Sequence, residues 1–87
     1  MNTLEIKKRL INIIMESVEE IGEEDIAKDS NLVDELGFSS IDIIGLVVQI
    51  ENEFNIEIED EDLNFDSLST YSNLYNIVLH ELSKHKL

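Results

Sequence analysis

The chain has 87 residues, with 20 Asp and Glu against 6 Lys and Arg, for a net charge of −14. That excess repels nucleic-acid phosphates and anionic membrane surfaces and attracts basic protein surfaces, so no nucleic acid and no membrane is expected among its partners. Apolar residues make up 43%, enough for one small core and one domain over residues 1–87, and the absence of cysteine leaves no disulfide, thiolate ligand or thiol nucleophile in the polypeptide.

Lys7, Lys8 and Arg9 are not followed by a long apolar segment or a cleavage site, and no apolar run reaches membrane-spanning length, so a cytoplasmic location is expected. The first helix is predicted from Asn2, a cap with Glu5 in the third helical position. Ile6, Leu10, Ile13, Ile14, Val18 and Ile21 then recur at helical spacing up to Gly22. The three cations fall in its early turns, where the helix dipole disfavours them, and are read as a solvated face. Residues 23–38 have no sustained period, and Ser30, Asn31 and Gly37 are loop chemistry. So long a connection in a compact domain needs pinning, which Ile26, Leu32, Val33 and Leu36 are expected to provide.

The connection delivers the chain to Leu36-Gly37-Phe38-Ser39-Ser40-Ile41-Asp42. Gly37 closes the loop, Ser39 has an N-cap side chain, and Asp42 three residues later completes a capping box, which makes Ser40 a first-turn residue. Free backbone N–H groups and the macrodipole favour negative charge at such a position, so a phosphodiester on the Ser40 hydroxyl would be well received. The second helix is predicted from about Ile41 to Phe54. At about 100° per residue, Ile43, Leu46, Val47, Ile50 and Phe54 form a core side. Ile41, Ile44 and Val48 point the opposite way, between Asp42 and Glu53 on one flank and Glu51 on the other, and are read as an exposed patch for docking a partner. Gly45 lies beside that stripe.

Ile56 and Ile58 alternate with acids, but no second strand candidate exists, so the segment is read as an extended linker. Asp60 to Asn64 reads as one helical turn anchored by Leu63. Phe65 to Ser69 leads to a last helix from about Thr70, with Tyr71, Leu74, Tyr75, Val78 and Leu82 on one face and Lys84, His85 and Lys86 at its C-terminal end. The expected fold is all-α, a small bundle of three main helices plus one short helix, with a long loop between helices one and two.

Intrinsic chemistry is hard to find. Asp60, Asp62 and Asn64 occupy positions one, three and five of a calcium loop, yet Phe65 stands where the turn needs glycine and Tyr71 where the ion needs a bidentate glutamate. A solvated acidic turn remains. Gly37-Phe38-Ser39-Ser40-Ile41 has the start of a hydrolase nucleophile elbow without its second glycine or a preceding strand. His80 and His85, five apart, diverge around a helix and meet neither a metal nor a serine. No catalytic residue and no metal site is assigned.

The run Leu36-Gly37-Phe38-Ser39-Ser40-Ile41-Asp42, continued by Leu46-Val47 and by Ile50-Glu51-Asn52-Glu53-Phe54-Asn55-Ile56-Glu57-Ile58, resembles the acyl carrier proteins. Length, acidity, helix order and Leu68-Ser69-Thr70 before the last helix extend the likeness over nearly the whole chain. The resemblance implies that Ser40 is the attachment serine for 4′-phosphopantetheine, joined from coenzyme A by a phosphopantetheinyl transferase. The protein is then a substrate of enzymes and no enzyme itself: a freestanding, monomeric carrier of acyl thioesters for fatty acid or polyketide synthesis. Ile41, Asp42, Ile44, Val48 and Glu51, with Ser39 beside them, match positions that acyl-loading and acyl-processing enzymes with basic docking surfaces touch. Against the family pattern, Ser39 replaces the usual Asp, Ile41 the usual Leu and Gly45 a common acidic residue, while Phe65-Asp66 lengthens the last connection. The first of these departures fits an alternative, a dedicated carrier of an aminoacyl or other specialised acid loaded by an ATP-dependent ligase. A more remote alternative is an unmodified helical adaptor, and Ser39 is the second candidate for attachment.

Overall fold

A computed structural model describes residues 2–18, 21–27, 29 and 31–84. It holds α1 (Thr3–Ser17), the short α2 (Glu23–Ala27), α3 (Ser40–Phe54), a single 3-10 turn at Asp60–Asp62, and α4 (Tyr71–Lys84). No strand occurs among the described residues, so the all-α bundle of three main helices is as expected, with two short elements where one was predicted.

Short polar side chains set the helix starts. The Asn2 side chain accepts from the N–H of Glu5 at 2.8 Å, and the Glu5 carboxylate turns forward to Arg9 at 3.0 Å. The other end of α1 departs from the prediction, because the helix stops at Ser17 and does not reach Gly22. Val18 is extended (φ −141°, ψ 134°), and the Ser17 hydroxyl donates to the Ile13 carbonyl at 2.9 Å. A back-bonding serine followed by a β-branched residue weakens a last turn. Val18 and Ile21 still pack on the core, from non-helical chain.

The connection after α1 is not the uninterrupted loop that its sequence suggested. At α2 the Asp25 carboxylate accepts the Gly22 N–H at 3.0 Å while the Asp25 N–H donates to the Gly22 carbonyl at 3.1 Å, and three acids complement the dipole of the first turn. One turn is too short to leave a periodic signal. Beyond it Ile26 and Leu32 are fully buried, and Val33 and Leu36 partly so, which is the pinning expected. The connection is also stitched to the start of α4. The Leu32 N–H donates to the Ser69 carbonyl at 2.7 Å. Asp29, in the left-handed region at φ 58°, accepts the Ser72 N–H at 2.8 Å and the Ser72 hydroxyl at 2.7 Å.

The core lies between α1, α3 and α4, built from Ile6, Leu10 and Ile14, from Ile43, Leu46 and Ile50, and from Leu74 and Val78. After Phe54 the chain reverses through Asn55 (φ 53°, ψ 49°), and Ile56 and Ile58 are buried in extended chain as the alternation required. Leu63 is not the anchor of the next turn: it is 43% exposed, and Leu68, at 6%, enters the core instead. The Leu63 N–H closes the 3-10 turn on the Asp60 carbonyl, while the Leu68 N–H bonds the Asn64 and Phe65 carbonyls in a later turn, which carries Leu68 inward. The early cations do more than face solvent. Arg9 bridges Glu5 and Glu53 at 3.0 Å each, and Lys7 Nζ lies 5.5 Å from the centroid of the Tyr75 ring. His85 and Lys86 lie outside the described residues. No described helix is long and apolar enough to cross a membrane.

Candidate functional site

The turn into α3 is anchored by Phe38, which is buried and donates its N–H to the Leu32 carbonyl at 2.8 Å. Gly37 precedes it at φ +79°, a conformation glycine adopts without the steric cost of a Cβ. Ser39 then caps the helix with a reciprocal box: its N–H donates to Asp42 Oδ2 at 2.9 Å, and the Asp42 N–H donates to Ser39 Oγ at 3.2 Å. The Ser39 carbonyl takes the Ile43 N–H at 3.1 Å. Among the described residues nothing bonds the N–H groups of Ser40 and Ile41, and Ser40 is exposed. The hydroxyl of Ser40 therefore stands free at the positive end of a four-turn helix, beside unsatisfied donors. A phosphodiester on that exposed oxygen would lie beside those donors.

The two apolar stripes of α3 separate cleanly. Ile43, Leu46, Val47, Ile50 and Phe54 are buried, while Ile41, Ile44 and Val48 are 77%, 64% and 50% exposed. The carboxylates that flank the exposed stripe have internal partners. Asp42 holds the capping box, Glu53 meets Arg9, and Glu51 Oε2 accepts the N–H of Ile58, seven residues on, at 2.9 Å. The Glu51 bond was not visible in the sequence, since it depends on the chain reversing at Asn55. Gly45 opens on empty space and is exposed.

A concavity of about 670 Å³ lies at the other end of α3, lined by residues that include Asn55, Ile56, Ile58, Glu59, Glu81 and Lys84. The rise of the helix puts it roughly 20 Å along the axis from Ser40, too far to belong to the same site. The Lys84 ammonium joins Glu59 to the buried Glu81 there. Hydrogen bonds to Glu59 and Glu81 hold Lys84 above the usual lysine range, and the bond from Lys84 holds the Glu59 carboxyl below its usual range. The Glu61 carboxyl is pushed up by hydrogen bonding and repulsion from Glu59. Carboxylate oxygens of Glu59, Asp62 and Glu81 come within 4.8 Å of one another. Of the calcium-loop positions weighed above, only Asp62 joins that group. Asn64 serves its own turn, accepting from the Ser67 N–H at 2.9 Å. His80 is exposed on α4, and His85 lies outside the described residues.

Residues 8–78 match the family model described as a phosphopantetheine attachment site. An acyl carrier protein of Chloroherpeton thalassium is 32% identical over 77 residues, covering 88% of this chain and 92% of that protein. Another, from Buchnera aphidicola subsp. Acyrthosiphon pisum, is 40% identical over 57 residues, 66% of this chain and 70% of the relative.

Proposed function

We propose, since this chain belongs to the acyl carrier protein family, whose members are carriers and not catalysts, that Ser40 is the residue on which it bears 4′-phosphopantetheine. That group, drawn from coenzyme A, supplies the thiol that a cysteine-free polypeptide lacks, and acyl groups are carried on it as thioesters. The observation that supports Ser40 is the difference between two adjacent serines. Ser39 Oγ is committed to the Asp42 N–H, and removing it would loosen the helix start, whereas Ser40 projects an uncommitted hydroxyl one residue further on. The N–H groups of Ser40 and Ile41 are oriented to stabilise the phosphodiester charge. Incubation with coenzyme A and a broad-specificity phosphopantetheinyl transferase should add one group by mass spectrometry. Ser40→Ala should abolish the addition and Ser39→Ala should retain it; uptake that survives Ser40→Ala would move the site to Ser39.

In this reading the protein is a monomeric carrier of acyl intermediates for fatty acid or polyketide synthesis, raising their effective concentration at successive enzymes by tethering. Partners dock around Ser39, Ile41, Asp42, Ile44, Val48 and Glu51. The exposed stripe and the net charge of −14 support this, since that charge draws enzymes with basic surfaces and opposes self-association. Ser39 in place of the family's usual acid favours a second reading, a carrier of an aminoacyl or other specialised acid. Identification of the acid released from the native thioester separates the two, an amino acid deciding for the second.

A further inference from the structure

Leu32 joins the starts of two helices. It is fully buried, its N–H donates to the Ser69 carbonyl at 2.7 Å just before α4, and its carbonyl accepts the Phe38 N–H at 2.8 Å just before α3. The turn around it is closed on itself. Asn31 Oδ1 accepts the Val33 and Asp34 N–H groups at 3.0 and 2.8 Å, and the Asn31 carbonyl accepts the Glu35 N–H at 2.9 Å. Such bonds give the turn its shape, and burial of Leu32 and Phe38 holds it to the core, but burial is non-directional and does not set its orientation.

Directional contacts reach the turn from α4. Leu32 meets Ser69, and Asp29, three residues earlier, meets Ser72, three residues later, so the two stretches of chain run antiparallel in one register. Asp29 commits both carboxylate oxygens: Oδ1 accepts the Ser72 N–H at 2.8 Å and Oδ2 the Ser72 hydroxyl at 2.7 Å, each a charge-assisted bond. At the same helix start Thr70 Oγ1 accepts the Asn73 N–H at 3.3 Å, so α4 has a local cap besides the distant one.

We infer that Asp29 is a positioning residue for the reaction at Ser40: its grip on Ser72 orients the turn from which Phe38 presents the serine, before any enzyme arrives. This rests on Ser40 as the attachment residue and adds how that residue is held in place. The path is short and continuous, from Ser72 to Asp29, along the chain to Leu32, across to Phe38, and on to the capped start of α3. An enzyme that reads the chain ahead of the serine binds a preorganised turn at less entropic cost than a drifting one. The effect belongs to binding and not to the chemical step, since the first turn of α3 is set by its own capping box.

Asp29 sits at φ 58°, which glycine and asparagine also adopt, so both replacements avoid backbone strain. Asp29→Gly removes both acceptors, and Asp29→Asn keeps one. With coenzyme A and a phosphopantetheinyl transferase that accepts the wild-type chain, Asp29→Gly should raise the KM for the carrier about threefold with kcat unchanged, and Asp29→Asn should restore most of the difference. In hydrogen exchange on the unmodified protein, Asp29→Gly should speed the Leu32 amide about fivefold more than the Ile50 amide in the middle of the core. Equal acceleration at Leu32 and Ile50 would reduce Asp29 to a contributor to general stability, and an unchanged KM would show that the turn is oriented without it. Either result overturns the inference and leaves Ser40 as the attachment site. A wild-type chain that no transferase loads would overturn the carrier reading itself, and this inference with it.

Discussion

At its first turn α3 is closed by residues three apart in sequence, Ser39 and Asp42, whereas at its last it is closed by the chain reversing onto Glu51. Asn55 turns left-handed, Glu51 catches the Ile58 N–H, and Ile56 and Ile58 fold back into the core. The self-contained end leaves its outermost N–H groups and the Ser40 hydroxyl available to a visiting enzyme. The C-terminal end instead ties α3 to the segment that leads to α4. On the proposed reading, attachment and cohesion are thus assigned to opposite ends of one helix. A modification at the open end then need not disturb the packing that keeps the helix in place.

Substitutions at the two ends should behave differently, and the largest contrast comes from the core. Phe54→Ala should remove about 3–5 kcal/mol of stability in urea denaturation, the usual range for a buried phenylalanine, which for a domain this small leaves much of the population unfolded. If that loss were under 1 kcal/mol, the C-terminal end would not be the cohesive one. Ser39→Ala should cost about 1 kcal/mol, as caps do. Its effect should be local, with faster hydrogen exchange at the Asp42 and Ile43 amides and unchanged protection at Ile56 and Ile58. Equal acceleration at both places would show that the ends are not independent.

The smallest effect is electrostatic and confined to the far groove. Glu59, held below its ordinary value of 4.5 chiefly by Lys84, lends stability above that value and loses it as the pH falls through the lowered one. Lys84, held above its ordinary 10.5 chiefly by Glu59, lends stability below that value and loses it as the pH rises through the raised one. The pair therefore supports the fold between those limits and fades outside them. Glu59→Gln, which leaves Lys84 on the buried Glu81, should lower the melting temperature slightly at neutral pH, flatten its dependence on pH at the acid flank, and do less at high salt because Glu59 and Lys84 are exposed.

What could be read from the sequence follows the same division between local and distant causes. Ser39, Asp42 and the two stripes of α3 are statements about residues three and four apart, and each is found where the spacing put it. The end of α1 was misplaced because Val18 and Ile21 keep the helical spacing of buried residues while contributing from non-helical chain. Leu63 was given an anchor's role because it is the apolar residue of its turn, although the geometry of the next turn favours Leu68. Arg9 with Glu53, and Asp29 with Ser72, are 44 and 43 residues apart, and no spacing rule reaches that far. Ser40 was legible as a position, a first-turn hydroxyl behind a cap. The commitments of Glu51 and Glu53 were not, because they depend on where the chain returns.

The bond between Asp29 and Ser72 also bears on how the molecule assembles during translation. The capping box at Ser39 closes within a few residues and can form as soon as α3 has left the ribosome. Asp29 has to wait for the start of α4, 43 residues later, before its carboxylate finds the groups it holds. The approach to Ser40 is therefore ordered late, after the helix it leads into. A nascent chain that displays the serine still lacks the connection as the finished protein holds it, and an enzyme that reads that connection as well as the serine would act only on completed molecules.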